Sequence, residues 1–516
     1  MHSVSLRFNH ILLFMKIKSM RFHFSVCVRV LLIMASLQLS AQGYNIKIKI
    51  KGTLPGDTIL LANYYGNKQY VKDSAFVDAK STVVFSGKEA LPGGLYMVVI
   101  PGKTYFEIIG NEPQFSLETD TIDFINTMKV TGSPENQVFY DFLRFSTQRQ
   151  MKMQQYSKDF QRVKDEGPVD SMEVYQNLYL ELDKEVNEYK EKLFQNHPEK
   201  LVSKIFKAMK DPVVPDPPKM EDGSIDSFFQ YRYFKDHFFD NMDLQDDRLL
   251  RSPVFHNRLN YFFTKLIPQI PDTIIKEGDR IVKMTGDNKE TFKYVVFYIT
   301  TTFETAEIMG MDAVFTHMAN TYYRTGQAYW VDSTQLNKIL DRADILGPLL
   351  LGKTAPNLTL PDSLNKPHTL HDIKAKHTVL VFWDPSCGHC KTTLPKLYAL
   401  YDSIRTKSIE VYAVCVENDL GKWKEFIREK NLDWINVSIL EPSWEAYQKF
   451  YTNNNLDYNR DKYLIDQMNL KRPYYDITST PVIYLLDENK KIVAKRLDVD
   501  NLRELLKIRV GKDLFD

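Results

Sequence analysis

The sequence predicts a multidomain chain: an N-terminal all-β module over residues 43–132, a central α-helical region over 133–345 and a C-terminal α/β domain over 346–516. Three observations predict it. Near the N-terminus Ile46, Ile48 and Ile50 alternate with Lys47, Lys49 and Lys51, the period of a half-buried strand. After Ser133-Pro134 the apolar residues fall at helical spacing, and from about Leu346 short apolar runs alternate with helical stretches, the texture of a sheet with helices on its faces. A length of 516 residues leaves room for about three such parts.

Composition narrows the function. Lys and Arg number 67 and Asp and Glu 66, a net charge of +1, which supplies no global field for gathering nucleic acid. Hydrophobic residues at 43% and charged residues at 26% exclude wholesale disorder and a polytopic membrane protein. Four cysteines in a chain of this length cannot form a disulfide scaffold, so their positions matter more than their number.

Residues 1–41 read as a secretory signal. Lys16, Lys18 and Arg21 precede an apolar stretch from Phe22 to Leu39 that ends in Ser40-Ala41-Gln42, and Met15 and Met20 are alternative starts. Arg29 interrupts the stretch, which disfavours a retained membrane anchor. Val26 stands before Cys27 where a lipid-attachment signal needs a small residue, so Cys27 is expected to leave with the signal. The mature chain then carries Cys387, Cys390 and Cys415 in an exported, oxidising compartment.

In the β module, apolar runs at 58–62, 83–85, 95–100 and 105–109 are separated by turn signals at Pro55-Gly56-Asp57, Gly66-Asn67 and Pro92-Gly93-Gly94, the pattern of a β-sandwich or small barrel. It has no Cys or His and reads as a structural or protein-contact module. Ser133 and Pro134 then supply an N-cap and a first helical residue. Four prolines between Asp211 and Pro218 make an extended loop, and helices are expected over 225–239, 254–266, 273–284, 289–308 and 313–325. The aromatic stripe from Phe228 to Phe239 has no matching basic patch and reads as helix packing rather than a base-stacking surface.

The chemistry sits further on. Val379 to Trp383 form a short buried strand, followed at once by Asp384-Pro385-Ser386-Cys387-Gly388-His389-Cys390 and an amphipathic helix striped by Leu394, Leu397, Tyr398, Tyr401 and Ile404. Cys387 therefore lies at a helix N-terminus, where unpaired N–H groups, the helix dipole and His389 stabilise a thiolate. Two intervening residues place Cys390 one turn along, close enough to resolve a mixed disulfide. A zinc site would need further ligands that His368, His371 and His377 do not supply at a suitable spacing, and haem attachment fails because Lys391 follows Cys390. No metal or other cofactor is required. Cys415, in the strand 409–416, reads as a small core residue. Pro481 opens the apolar strand 482–486, where a proline marks a special turn of the kind that accommodates a cis bond.

These residues resemble the thioredoxin superfamily, and within it the exported TlpA/ResA-like disulfide reductases. The resemblance covers about 346–516 and rests on Phe382-Trp383, the Cys387–Cys390 pair with Gly388 and His389 between, Lys391, Pro395 and Thr480-Pro481, with 411–432 similar to the family's central insertion. It implies a thioredoxin-like fold for the C-terminal domain, a redox-active Cys387–Cys390 disulfide, a cis Thr480-Pro481 bond beside it, client proteins with cysteines or disulfides, and a separate redox donor or acceptor. The sequence departs from the family at Val381 and Thr393, which stand where relatives carry acids, so the proton acceptor for Cys390 is left between Asp384 and a water. The order of β module, helical region and redox domain is similar to multidomain envelope thioredoxins of Bacteroidetes, which implies a periplasmic or envelope location. The expected function is thiol-disulfide exchange; the rivals are an envelope binding or scaffolding protein with a vestigial dithiol and a thiol peroxidase, whose separate motif is not seen.

Overall fold

The computed structural model describes residues 43–100, 102, 104–166, 170–405, 408–417, 419–439, 444–456 and 474–510; the expected signal and Cys27 lie outside the described residues. The chain packs as two compact units divided between Leu266 and Ile267.

The first unit opens with β1 (Tyr44–Lys51), β2 (Thr58–Tyr65), β3 (Lys68–Phe76), β4 (Thr82–Gly87), β5 (Leu95–Ile100), β6 (Thr104–Ile109), β7 (Gln114–Asp120) and β8 (Lys129–Thr131). They form two four-stranded sheets, ordered β4-β1-β7-β8 and β3-β2-β5-β6. In β1 the alternation seen in the sequence becomes a face: Tyr44, Ile46, Ile48 and Ile50 are buried and the intervening residues exposed. The strand lies antiparallel to β4, with Ile46 opposite Phe85, and parallel to β7, with Ile48 opposite Leu117. Strand β3 is exposed along most of its length at a sheet edge, so it carries no period-two signal.

Helix α1 (Pro134–Glu166) is bolted to this module by its first turn. Ser133 Oγ accepts the N–H of Asn136, and the Asn136 amide exchanges two 2.8 Å hydrogen bonds with the backbone of Ile109. Helix α2 (Asp170–Asn196) returns beside α1, stacking Tyr189 on Phe145, and α3 (Leu201–Ala208) takes its N-terminal cap from the Glu135 carboxylate, which accepts the N–H of Leu201. Helices α4 (Phe229–Asp236) and α5 (Pro253–Tyr261) complete the unit, α5 running into a π-turn over Phe262–Leu266. Here two expectations need correction. The helix expected over 225–239 covers only Phe229–Asp236 and buries none of its own residues. Its aromatic stripe divides, with Phe238 and Phe239 in the core and Phe228 two-thirds exposed, because the helix ends before the residues that pack.

The second unit begins with α6 (Pro271–Met284), α7 (Lys289–Glu304), α8 (Asp312–Met318) and α9 (Ser333–Leu346), with a π-turn over Ala319–Tyr323 after α8. Helix α7 stops four residues short of the expected 308, and α9 was not foreseen. Asn288 and Asp332 cap α7 and α9 by accepting the N–H groups of Thr291 and Gln335, each worth about 1 kcal/mol. The hairpin β9 (Thr359–Pro361) and β10 (Pro367–Thr369) leads into β11 (His377–Trp383), α10 (Gly388–Ile404), β12 (Ile409–Cys415), α11 (Leu420–Lys430), β13 (Ile435–Ser438), α12 (Trp444–Asn453), β14 (Val482–Asp487), β15 (Ile492–Lys495) and α13 (Val499–Val510).

The five-stranded sheet is ordered β13-β12-β11-β14-β15, with β11 central, parallel to β12 and antiparallel to β14. Because β11 is covered on both faces it reads as one apolar run. Val379, Val381 and Trp383 face the core shared with Leu394 and Leu397 of α10 and Leu502 of α13, while Leu380 and Phe382 face Tyr475 and Tyr484. On the edge strand β15, the almost fully buried Lys495 pairs with Asp312 of α8 and donates to the Leu349 carbonyl at 2.6 Å. Helices α6–α9 thus fold in one unit with this sheet.

Candidate active site

Strand β11 ends at Trp383, and the chain turns through Asp384-Pro385-Ser386 into α10. The Asp384 carboxylate accepts the N–H of Ser386 at 2.6 Å and its carbonyl accepts the N–H of Cys387 at 3.2 Å, a tight turn that sets the next residue at the helix start. Cys387 occupies the N-cap itself, with extended backbone (φ −74°, ψ 125°) and its carbonyl accepting the N–H of Lys391. Its Sγ therefore faces the unpaired N–H groups of the first turn. Gly388 and His389 are exposed, Cys387 is half-buried and Cys390 is fully buried against Trp383 and Leu394. All three described cysteines are free thiols.

From the other side of the dithiol comes the segment leading into β14. The Thr480-Pro481 peptide is cis, and the Cys387 thiol donates to the Thr480 carbonyl at 3.3 Å. The two sulfurs differ sharply. The Cys387 pKa is lowered by the Thr480 side chain and by the backbone N–H groups of Cys390 and His389, which hold its thiolate. Burial pushes the Cys390 thiol up to about 11, against a backbone N–H from Asp384 that reaches its Sγ at 3.5 Å. Burial likewise pushes Cys415, the cross-strand neighbour of Trp383, up to about 12.

Of the residues singled out in the sequence, the structure gathers Cys387, Cys390, Thr480 and Pro481 around one point, with Trp383 buried behind them and ring-packed on Phe426 of α11 at 5.0 Å. His389 meets Cys387 through its backbone N–H, while its imidazole is on the exposed side. The Asp384 carboxylate is occupied with Ser386, and its backbone rather than its acid reaches Cys390. His368 and His371 are engaged with Asp362 and the Ala355 carbonyl, and among the described residues no cluster of His, Cys, Asp and Glu could hold a metal. Sequence reading did not single out Tyr475-Asp476, whose partners come from far along the chain. Asp476 is held by Arg342 and Arg496.

A central strand that delivers Cys-x-x-Cys to a helix N-terminus, faced by an X-Pro turn from the neighbouring antiparallel strand, defines a thioredoxin-like fold. Comparison with known proteins agrees. Residues 351–495 match the AhpC/TSA family, and residues 44–139 match a family described as a domain of unknown function (DUF4369). The thiol-disulfide oxidoreductase ResA of Bacillus cereus is 30% identical over 82 residues, 16% of this chain and 47% of that protein, and ResA of Bacillus anthracis matches to the same extent. The chain thus spans about half the length of the curated relatives it matches. Among solved structures, a domain of a possible thiol-disulfide isomerase from Cytophaga hutchinsonii is 39% identical (TM-score 0.24), over 32% of this chain and 97% of that one. A thioredoxin-like protein from Bacteroides caccae is 17% identical (TM-score 0.40), over 58% and 99%. The chain is a multidomain protein of the thioredoxin superfamily, TlpA/ResA-like in its C-terminal domain. Among the described residues no helix is long and apolar enough to cross a membrane.

Proposed function

We propose that the protein is an exported thiol-disulfide oxidoreductase that exchanges disulfides with client proteins through Cys387 and Cys390. The reading is carried by the inequality of the two thiols: one half-exposed with a lowered pKa, the other buried one helical turn away with a raised one. The Cys387 thiolate attacks a client disulfide, forming a bond between Cys387 and one client sulfur and releasing the other as a thiolate, which takes a proton from solvent. Cys390 then gives up its proton and attacks the Cys387 sulfur. The Cys387–Cys390 bond forms, the client leaves as a dithiol reduced by two electrons, and the protein is oxidised by the same two. A thiol donor in the same compartment restores the reduced form, and the reverse sequence oxidises clients.

Trapping tests the assignment. Cys390→Ser should accumulate mixed disulfides with clients, whereas Cys387→Ser should capture none and lose all turnover; capture by Cys387→Ser alone would reverse the roles. A chain with no turnover of a protein disulfide would favour an envelope scaffolding role with an idle dithiol, and rapid turnover of hydrogen peroxide a peroxidase. Export is part of the proposal and rests on the basic, apolar and small-residue order of residues 1–41. N-terminal sequencing of envelope material should begin near Gln42, and recovery of an uncleaved chain would sink it.

A further inference from the structure

The Thr480 contact depends on a short segment, residues 475–480, that reaches the dithiol from outside the central strands. Its near end is unusually constrained. Tyr475 and Asp476 both have positive φ, at 48° and 55°, a conformation that side chains with a Cβ rarely adopt and that neighbouring structure must enforce. Tyr475 is fully buried against the rings of Phe382 and Tyr484, with its hydroxyl on the Pro356 carbonyl and its own carbonyl accepting from Tyr484 at 2.7 Å. Asp476 is almost fully buried, and both of its carboxylate oxygens are taken by guanidinium groups. Arg342 binds it in a two-pronged contact from α9, with one prong at 3.1 Å, and Arg496 binds it from the residue after β15. Beyond them lie Lys495, whose charge reaches Asp476, and Asp312, which is paired with Lys495. All of these sit beside a cavity of about 500 Å³ that is also lined by Glu304 and Glu307.

We infer that Asp476 is a positioning residue for the dithiol: clamped by Arg342 and Arg496, it fixes the 475–480 segment so that Thr480 rests on the Cys387 sulfur. Arg342 brings this control from α9, outside the stretch that matches the AhpC/TSA family. The clamp holds Thr480 because only Ile477, Thr478 and Ser479 separate it from Asp476, and the first turn is closed by the Thr478 N–H on the Asp476 carbonyl at 3.1 Å. Without Arg342 the buried carboxylate keeps only Arg496, an exposed side chain from the residue after β15, and loses its tie to α9, which frees the turn to move. The inference rests on the proposed exchange only for its purpose. Its test reads the sulfur directly.

The test is the rate of alkylation by iodoacetamide as a function of pH in the reduced full-length chain, where Cys390 and Cys415 are buried and have raised pKa values. Relative to wild type, Arg342→Ala lets the Thr480 side chain, which favours the Cys387 thiolate, draw away, and should move the midpoint upward by about half to one pH unit, which slows alkylation ~3- to 10-fold below the midpoint. Arg342→Lys should recover part of the shift, and Asp476→Asn should match or exceed Arg342→Ala. An unchanged midpoint in folded Arg342→Ala overturns the inference. So does an Arg342→Ala chain that loses its cooperative thermal transition, since the pair would then hold the fold rather than the turn. Exchange activity is assayed separately: a wild-type chain inert toward protein disulfides whose Arg342 variants still shift the midpoint sinks the proposed function and leaves this inference standing.

Discussion

At the scale of single residues, the helix start makes the dithiol asymmetric, and the asymmetry has a sign. A thiol whose pKa is lowered gains its charge at lower pH, so alkylation of Cys387 should follow a titration with its midpoint below the ordinary ~8.5 of a free cysteine. The same preference for thiolate favours the reduced state, so it makes the disulfide the stronger oxidant. His389 separates two ways of achieving this. Its backbone N–H faces the sulfur while its ring is exposed, so His389→Ala should leave the Cys387 midpoint close to wild type, and His389→Pro, which deletes the N–H, should raise it and lower the reduction potential. Equal shifts in both variants would return the role to the imidazole. Gly388, Lys391 and the departures at Val381 and Thr393 could all be read from sequence because they are local to the motif. Asp476 could not, since Arg342 lies 134 residues away and nothing beside either residue announces the other.

At the scale of elements, legibility followed exposure. Strands β1 and β11 could be read because burial on one face or on two leaves a period-two pattern or an apolar run. Strand β3 and helix α4 leave weak signals because they bury little. Helix α9 was legible in principle: Asp332 is its N-cap, Leu336, Ile339, Leu340, Ala343 and Leu346 fall at helical spacing, and Ile339 packs with the buried Ala343 and Leu346, although its first two turns are only partly buried. Helix α10 carries a stripe buried along its whole length, with Cys390, Leu394, Leu397, Leu400 and Ile404 all in the core. Leu394→Ala should therefore cost about 2–5 kcal/mol, seen as a fall in the denaturant midpoint of the reduced protein. A loss below 1 kcal/mol would mean that the α10 interface collapses around the gap.

At the scale of the molecule, the alternation of apolar runs and helical stretches places the start of the redox domain near residue 346, whereas packing divides the chain between Leu266 and Ile267 and keeps α6–α9 with the sheet. The bond across this region is ionic and buried, which no periodicity reports. Asp312→Ala would leave the Lys495 ammonium buried without its carboxylate and should destabilise the second unit by about 3 kcal/mol at neutral pH. Burial already lowers the Lys495 pKa, and losing Asp312 lowers it further. Between that folded value and the ordinary ~10.4, the unfolded chain binds more protons than the folded one, so the stability of the variant relative to wild type should recover as pH rises toward 10. Thermal melts of both proteins at pH 7 and pH 10 measure this. A deficit that does not shrink would show that Asp312 acts through something other than Lys495.

The buried sulfur also sets a clock. With a pKa of about 11, roughly one Cys390 in ten thousand is ionised at pH 7, and burial, the main cause, persists when Cys387 is joined to a client. In the proposed exchange, capture is then fast and release slow. During that dwell a captured client that carries a second thiol of its own can turn back on the mixed disulfide and leave rearranged instead of reduced. Which fate prevails is decided by a race between two thiols: both gain speed with pH up to the client thiol's own pKa, ~8.5 for a free cysteine, and only above it does a further pH unit favour the protein's runner, by up to about tenfold, shifting the products from isomerised toward reduced clients.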